Sequence, residues 1–180
     1  KTYRRLLLNN PQALRLYNKG IRSTINNSRV NLAKHFLTEK KKWQIANIET
    51  RQALATITAV KSGGEDDAGL FSINTQKEKI ITGVIDKMRL KGYSKDTEEG
   101  KRYYDVEIVT ELDAFFSSII TGKIRGEYPD EALNLLNLYE KDISKKTSGE
   151  LLKLLKEPLL IDKRQKAVAA ALVYQKDGKF

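Results

Sequence analysis

The side chains best suited to chemistry in this chain are cations, and they are concentrated in its first third. Residues 1–62 hold 13 Lys and Arg against two acidic residues, whereas residues 63–180 hold 20 basic and 21 acidic residues. The formal net charge of +10 is therefore carried by the first segment. Lys and Arg neutralise phosphates, so this distribution predicts contact with a nucleic acid or with an acidic protein surface.

Part of this charge follows helical spacing. Four cations and one amide between them are separated by steps of four and three residues, which places them along one side of a helix. We name these five residues (Arg15, Lys19, Arg22, Asn26 and Arg29) the basic stripe. Taken alone, the stripe also fits a solvated face of a helix that packs on a partner. We expect the contacts to a nucleic acid or an acidic partner to come from Arg4, Arg5, Arg15, Lys19, Arg22, Arg29, Lys40, Lys41 and Lys42.

No residue pattern predicts an enzyme, a cofactor or a metal site. The chain has no Cys and a single His, which excludes thiolate zinc sites, cysteine nucleophiles and paired-His metal sites. We expect His35 to be structural, because no orienting partner or nucleophile can be placed near it. The Glu65-Asp66-Asp67 cluster lacks the alternating spacing of a calcium loop, and no glycine pattern matches a phosphate loop.

A second group of carboxylates lies at Asp105, Glu107, Glu111 and Asp113. In a helix, Glu107 and Glu111 would share one face, and paired carboxylates serve nucleases and glycosidases. Such sites need further partners that the sequence does not place nearby. We therefore expect an exposed acidic face, available for docking the basic segment.

One long helix, or two nearly collinear ones, must position the basic stripe. Asn10 can cap its start, Pro11 suits the first helical position, and no further Pro occurs before residue 61. The poor helix formers Asn26 to Ser28 leave the second alternative open, with helices over 11–26 and 29–62. Its apolar residues are separated mostly by seven or four positions, which places them on one face of a helix. They are Leu14, Ile21, Ile25, Leu32, Phe36, Trp43, Leu54, Ile57 and Val60.

Three aromatic residues of this helix lie on or beside the apolar face, namely Tyr17, Phe36 and Trp43. Aromatic rings among cations can stack on bases. Their position on the apolar face nevertheless leads us to expect that all three are core residues.

The rest of the chain is predicted to form a bundle of about five shorter helices. Alternation of apolar and polar residues around Tyr104, Val106 and Ile108 leaves a strand as the alternative for 103–110, but such a strand would lack a pairing partner. The first predicted helix covers 76–91, with a Thr75–Glu78 capping box at its start and Gly92 at its end, and the second covers 105–121 and ends at Gly122. A third helix begins at Pro129. The fourth covers 147–157, between a second capping box (Thr147–Glu150) and Pro158, and the fifth covers 163–176 and is capped by Asp162.

The sequence thus predicts an all-α fold with a basic helical arm (1–62), a loop or hinge (63–67) and a helical bundle (68–180). We expect a non-enzymatic structural or assembly protein of a larger complex, such as a virion or nucleoprotein component, in the cytoplasm or the virion interior. The apolar face of the long helix would contact a protein partner or a second copy. The alternatives are a nucleic-acid-binding module with non-specific phosphate contacts, and a helix on an anionic membrane surface, which the many Asn residues disfavour.

Overall fold

A computed structural model describes residues 10–176, apart from the side chains of 174–176, and its regular elements are all helices. The predicted all-α class, with a long N-terminal helix followed by shorter packed helices, is confirmed. No helix in the described range is both long enough and apolar enough to cross a membrane. In chain order the elements are α1 (Pro11–Ser62), α2 (Asp67–Lys91), α3 (Glu98–Arg125), α4 (Pro129–Leu138), a 3-10 helix (Glu140–Asp142) and α5 (Lys145–Lys176).

The start of α1 is the one that the sequence predicts. The Ala13 amide donates a hydrogen bond to Asn10 Oδ1 at 3.1 Å, and Pro11 occupies the first helical position, where its missing N–H is not needed. Of the two alternatives for this segment, the single unbroken helix is the one found. Asn26 to Ser28 cost only about 0.5 kcal/mol each relative to Ala, which is too little to break the helix.

The chain divides into two units, Lys1–Ile45 and Ala46–Phe180, and the division falls within α1. In the described part of the first unit, residues 10–45, no side chain is buried. The predicted loop at 63–67 lies between the end of α1 and the start of α2, and its last residue, Asp67, is the first residue of α2. As a domain boundary it stays a prediction.

The core of the second unit is built around α3, which contacts α2, α4 and α5. Phe115, Phe116, Ile119 and Ile120 of α3 are almost fully buried, and Phe116 stacks on Tyr139 with ring centroids 4.6 Å apart. This spacing places four large apolar side chains on one side of a helix, as burial against neighbouring helices requires.

The final segment of α1 packs against α2 through small residues. Ala55 and Ala59 are buried in the core, and Gln52 donates from Nε2 to the Ile80 carbonyl oxygen at 3.2 Å. A Cβ on Gly83 would lie 2.7 Å from Gln52 Nε2, so the close approach of the two helices requires glycine at this position.

The predicted acidic face on α3 is wrong for two of its four carboxylates, which are half-buried and bonded within the bundle. Glu111 Oε1 lies 2.6 Å from the Nζ of Lys87, which is itself buried. Asp113 accepts hydrogen bonds from the Ser144 amide at 2.7 Å and from the Ser144 and Thr147 hydroxyls at 2.6 and 2.7 Å. Burial raises the pKa of Asp113, but these bonds outweigh it and hold the pKa below its ordinary value of 3.8.

The predicted start of α2 is wrong, whereas its predicted end is correct. α2 begins at Asp67, eight residues before the predicted capping box, because Asp66 caps it by accepting from the Gly69 amide at 2.8 Å. Thr75 lies inside the helix and donates to the Phe71 carbonyl. The predicted end at Gly92 is confirmed, since Gly92 adopts the left-handed conformation with φ of 89°.

Residues 103–110 are helical, as favoured over the strand alternative, but α3 is longer than predicted at both ends. Thr97 caps its start by accepting from the Gly100 amide at 3.1 Å. Gly122 does not end the helix, because Ile124 in the following turn still packs against the core.

The two predicted C-terminal helices are one helix, α5, which begins at Lys145 and contains Pro158. Proline forfeits one backbone hydrogen bond, but Leu155 is fully buried before it and Leu159 packs on the core after it. Apolar packing on both sides thus offsets the cost of proline. Asp162, the predicted cap, lies within the helix and pairs with Lys166 at 2.7 Å. Four α-helices and the 3-10 helix therefore follow α1 in the described range, instead of about five helices.

Candidate nucleic-acid interface

The basic stripe is held by the part of α1 that lies in the first unit. Because the helix is unbroken over 11–45, the four- and three-residue steps bring the stripe residues onto one side of it. All five are exposed. Four of them (Arg15, Lys19, Arg22 and Asn26) line one polar surface together with Asn18, Ser23 and Asn27.

The charge of this surface is not neutralised by carboxylates. Within residues 10–45 the one ion pair joins Lys42 Nζ and Glu39 Oε1 at 2.8 Å. The hydrogen bond from Lys42 lowers the pKa of Glu39, so this carboxylate is ionised at neutral pH. Eight basic residues and one acidic residue lie in this range, which leaves seven cations without an ion pair there: Arg15, Lys19, Arg22, Arg29, Lys34, Lys40 and Lys41.

The predicted Lys40 to Lys42 run does not form a single cluster. Successive residues of an α-helix are separated by about 100°, so the three side chains point in different directions. Lys40 lies on the side of the basic stripe, whereas Lys41 and Lys42 lie on other sides and Lys42 is paired with Glu39. All three are exposed. Arg4 and Arg5 lie outside the described residues.

The expectation that the aromatic residues of α1 are core residues is wrong. Phe36 is 65% exposed, Trp43 is 67% exposed, and Tyr17 is 42% exposed. The apolar spacing correctly placed them on one helical face, but no element among the described residues of the first unit covers this face. The sequence therefore missed that these rings are exposed to solvent on the same helix as the cations.

Three of the cations and two of the rings follow a seven-residue repeat. Arg15, Arg22, Arg29, Phe36 and Trp43 follow one another at intervals of seven residues. Each interval advances about 10 Å along the helix and turns by about 20°, so the five side chains form one slowly winding column. We call them the seven-residue column.

The other candidate residues named from the sequence are exposed or bonded within the fold. No group of three or more His, Asp or Glu side chains within 10–176 is placed to hold a metal ion. His35 is exposed on α1, Asp66 caps α2, and Asp113 bonds Ser144, the residue before α5.

Comparisons with protein families, with curated proteins and with solved structures find no match to this chain.

Proposed function

We propose that this chain is a non-enzymatic component of a nucleoprotein assembly, and that its N-terminal helix binds the phosphate backbone of a nucleic acid. The observation that carries the proposal is the seven unpaired cations within residues 10–45, four of them on the basic stripe. When these side chains neutralise phosphates, the cations condensed on the nucleic acid are released to the solvent, which drives binding without sequence recognition.

The amides in and beside the stripe support the same function. Asn18, Asn26 and Asn27 are exposed between the cations. Amide groups donate hydrogen bonds to phosphate and sugar oxygens, and such contacts position a strand without reading its bases.

The proposal is tested with two variants of equal charge. Arg15→Gln, Lys19→Gln, Arg22→Gln and Arg29→Gln are combined in the stripe variant. The control removes four exposed cations of the second unit that form no ion pair among the described residues: Lys61→Gln, Lys153→Gln, Lys156→Gln and Arg164→Gln.

Binding of labelled random-sequence oligonucleotides is measured by fluorescence anisotropy at low salt. We expect the stripe variant to lose at least about tenfold more affinity than the control, because contacts to phosphate are local. Equal losses in both variants, or undiminished binding by the stripe variant, would contradict the proposal.

A second candidate function is docking of a protein partner, or of a second copy, along the apolar face of α1. Leu32 is 69% exposed, and Leu14, Ile21 and Ile25 precede it at steps of seven and four, as in a helix pair. Sedimentation of the natural chain and of Ile25→Asp/Leu32→Asp tests self-association. A concentration-dependent dimer that the variant abolishes supports this candidate, whereas monomers in both cases oppose a second copy as the occupant.

A further inference from the structure

The cations and the aromatic rings of α1 share one column. From Arg15 to Trp43 the seven-residue column extends over about 42 Å, with three arginines in its first part and two rings in its last. Lys40 lies four residues after Phe36 and three before Trp43, so a cation neighbours both rings. All of these side chains are exposed.

We propose that the ligand of this column is a single-stranded nucleic acid, whose phosphates follow the cations and whose unpaired bases stack on Phe36 and Trp43. This inference depends on the proposed function and specifies its ligand. Stacking on aromatic rings, combined with a positively charged track for the backbone, is the way in which proteins bind single strands without sequence preference.

The column fits a single strand better than a duplex. Each strand of a duplex crosses a line parallel to the duplex axis once per turn of about 34 Å. A helix lying along the duplex therefore meets a phosphate backbone only a few times over the length of the column. A flexible strand can instead follow the column over its whole length, and in a duplex the paired bases cannot reach the rings.

The arrangement of charge around the helix supports the same ligand. The four cations of the basic stripe lie on one flank of the apolar face. On the other flank the exposed residues Thr24, Asn31 and Thr38 are uncharged, and Lys42, which also lies there, is paired with Glu39. A nucleic-acid strand has the same asymmetry, with phosphates along one edge and bases along the other. A second copy of α1 would bring seven further unpaired cations beside these, which disfavours it as the occupant.

Trp43 is the only Trp of the chain and reports directly on stacking. The full chain is titrated with a poly-dT strand of about 20 nucleotides, which exceeds the usual site size, and with a duplex of equal length. We expect the single strand to bind more tightly and to quench the emission of Trp43, with no comparable quenching by the duplex.

A variant pair separates stacking from other effects. Phe36→Leu/Trp43→Leu keeps an apolar face without rings, and Phe71→Leu, which replaces an exposed ring of the second unit, is the matched control. By anisotropy of labelled oligonucleotides, we expect the double variant to bind the single strand about tenfold or more weakly, with duplex binding unchanged. The control should bind like the natural chain.

The outcomes distinguish this inference from the proposed function. Equal binding of strand and duplex, with Trp43 emission unchanged and the double variant unimpaired, overturns the inference and leaves phosphate binding intact. Absence of binding to either nucleic acid overturns both. A blue shift of Trp43 emission with vesicles of anionic lipid, without binding of oligonucleotides, also overturns both and favours a membrane surface.

Discussion

The salt dependence of binding gives a quantitative test of the basic stripe. Five cations that form no ion pair among the described residues lie on one side of α1: the four of the stripe and Lys40. Each phosphate contact with a single strand contributes about 0.7 to the slope of log affinity against log salt, so five contacts predict a slope of about −3.5. Affinity should then fall about 130-fold between about 50 and 200 mM salt.

The perturbation is Arg22→Gln/Arg29→Gln, which removes two of the five contacts. The slope should become about −2.1, and the loss over the same salt range about 20-fold. Both side chains are exposed and form no ion pair among the described residues, so the fold should be unchanged.

The assay is a set of anisotropy titrations with one oligonucleotide at four or more salt concentrations. Lys153→Gln/Lys156→Gln removes the same charge from α5 and should keep the slope of the natural chain. An unchanged slope for Arg22→Gln/Arg29→Gln, or an equally reduced slope for Lys153→Gln/Lys156→Gln, would refute the assignment of phosphate contacts to the stripe.

Three further predictions concern the bundle, each measured by chemical denaturation. Glu111→Gln should lower the free energy of unfolding by about 3 kcal/mol, because it leaves the buried Lys87 unpaired. Lys87→Met/Glu111→Leu, which removes both charges, should unfold near the midpoint of the natural chain. An equal loss of unfolding free energy in both variants would contradict this. Asp113 has a folded-state pKa below 3.8, so it stabilises the fold above pH 3.8 and this stabilisation is lost as the pH falls through the folded pKa. Asp113→Asn should therefore be less stable than the natural chain at pH 7 and closer to it at pH 3, and a constant difference would oppose this. Phe116→Ala should cost about 3 to 5 kcal/mol, because the ring is almost fully buried, and a loss below about 1 kcal/mol would mean that the site is not core.

Local signals in the sequence predicted the helix boundaries that depend on local chemistry. Asn10 with Pro11, Gly92 and Pro129 act through their own backbone and the next few residues, and each marks a helix end as predicted. The break at Pro158 was wrong because packing of distant residues against the same helix offsets the local cost of proline.

Contacts between residues that are far apart in the chain could not be predicted from the sequence. Glu111 meets Lys87, 24 residues away, and Asp113 meets Ser144, 31 residues away, so neither could be distinguished from a solvated acidic face. The same limit applied to the rings of Phe36 and Trp43. Helical spacing shows that residues share a face, but it does not show whether another element covers that face.

The most direct test of nucleic-acid binding by the N-terminal helix is a photocrosslinking map. A poly-dT strand is crosslinked to the full chain by ultraviolet light, and the attached peptides are identified by mass spectrometry. We predict that the crosslinks lie within residues 11–45, with Trp43 and Phe36 among the modified residues, and that the stripe variant reduces them. Crosslinks confined to α2 through α5, or unchanged in the stripe variant, would contradict the account.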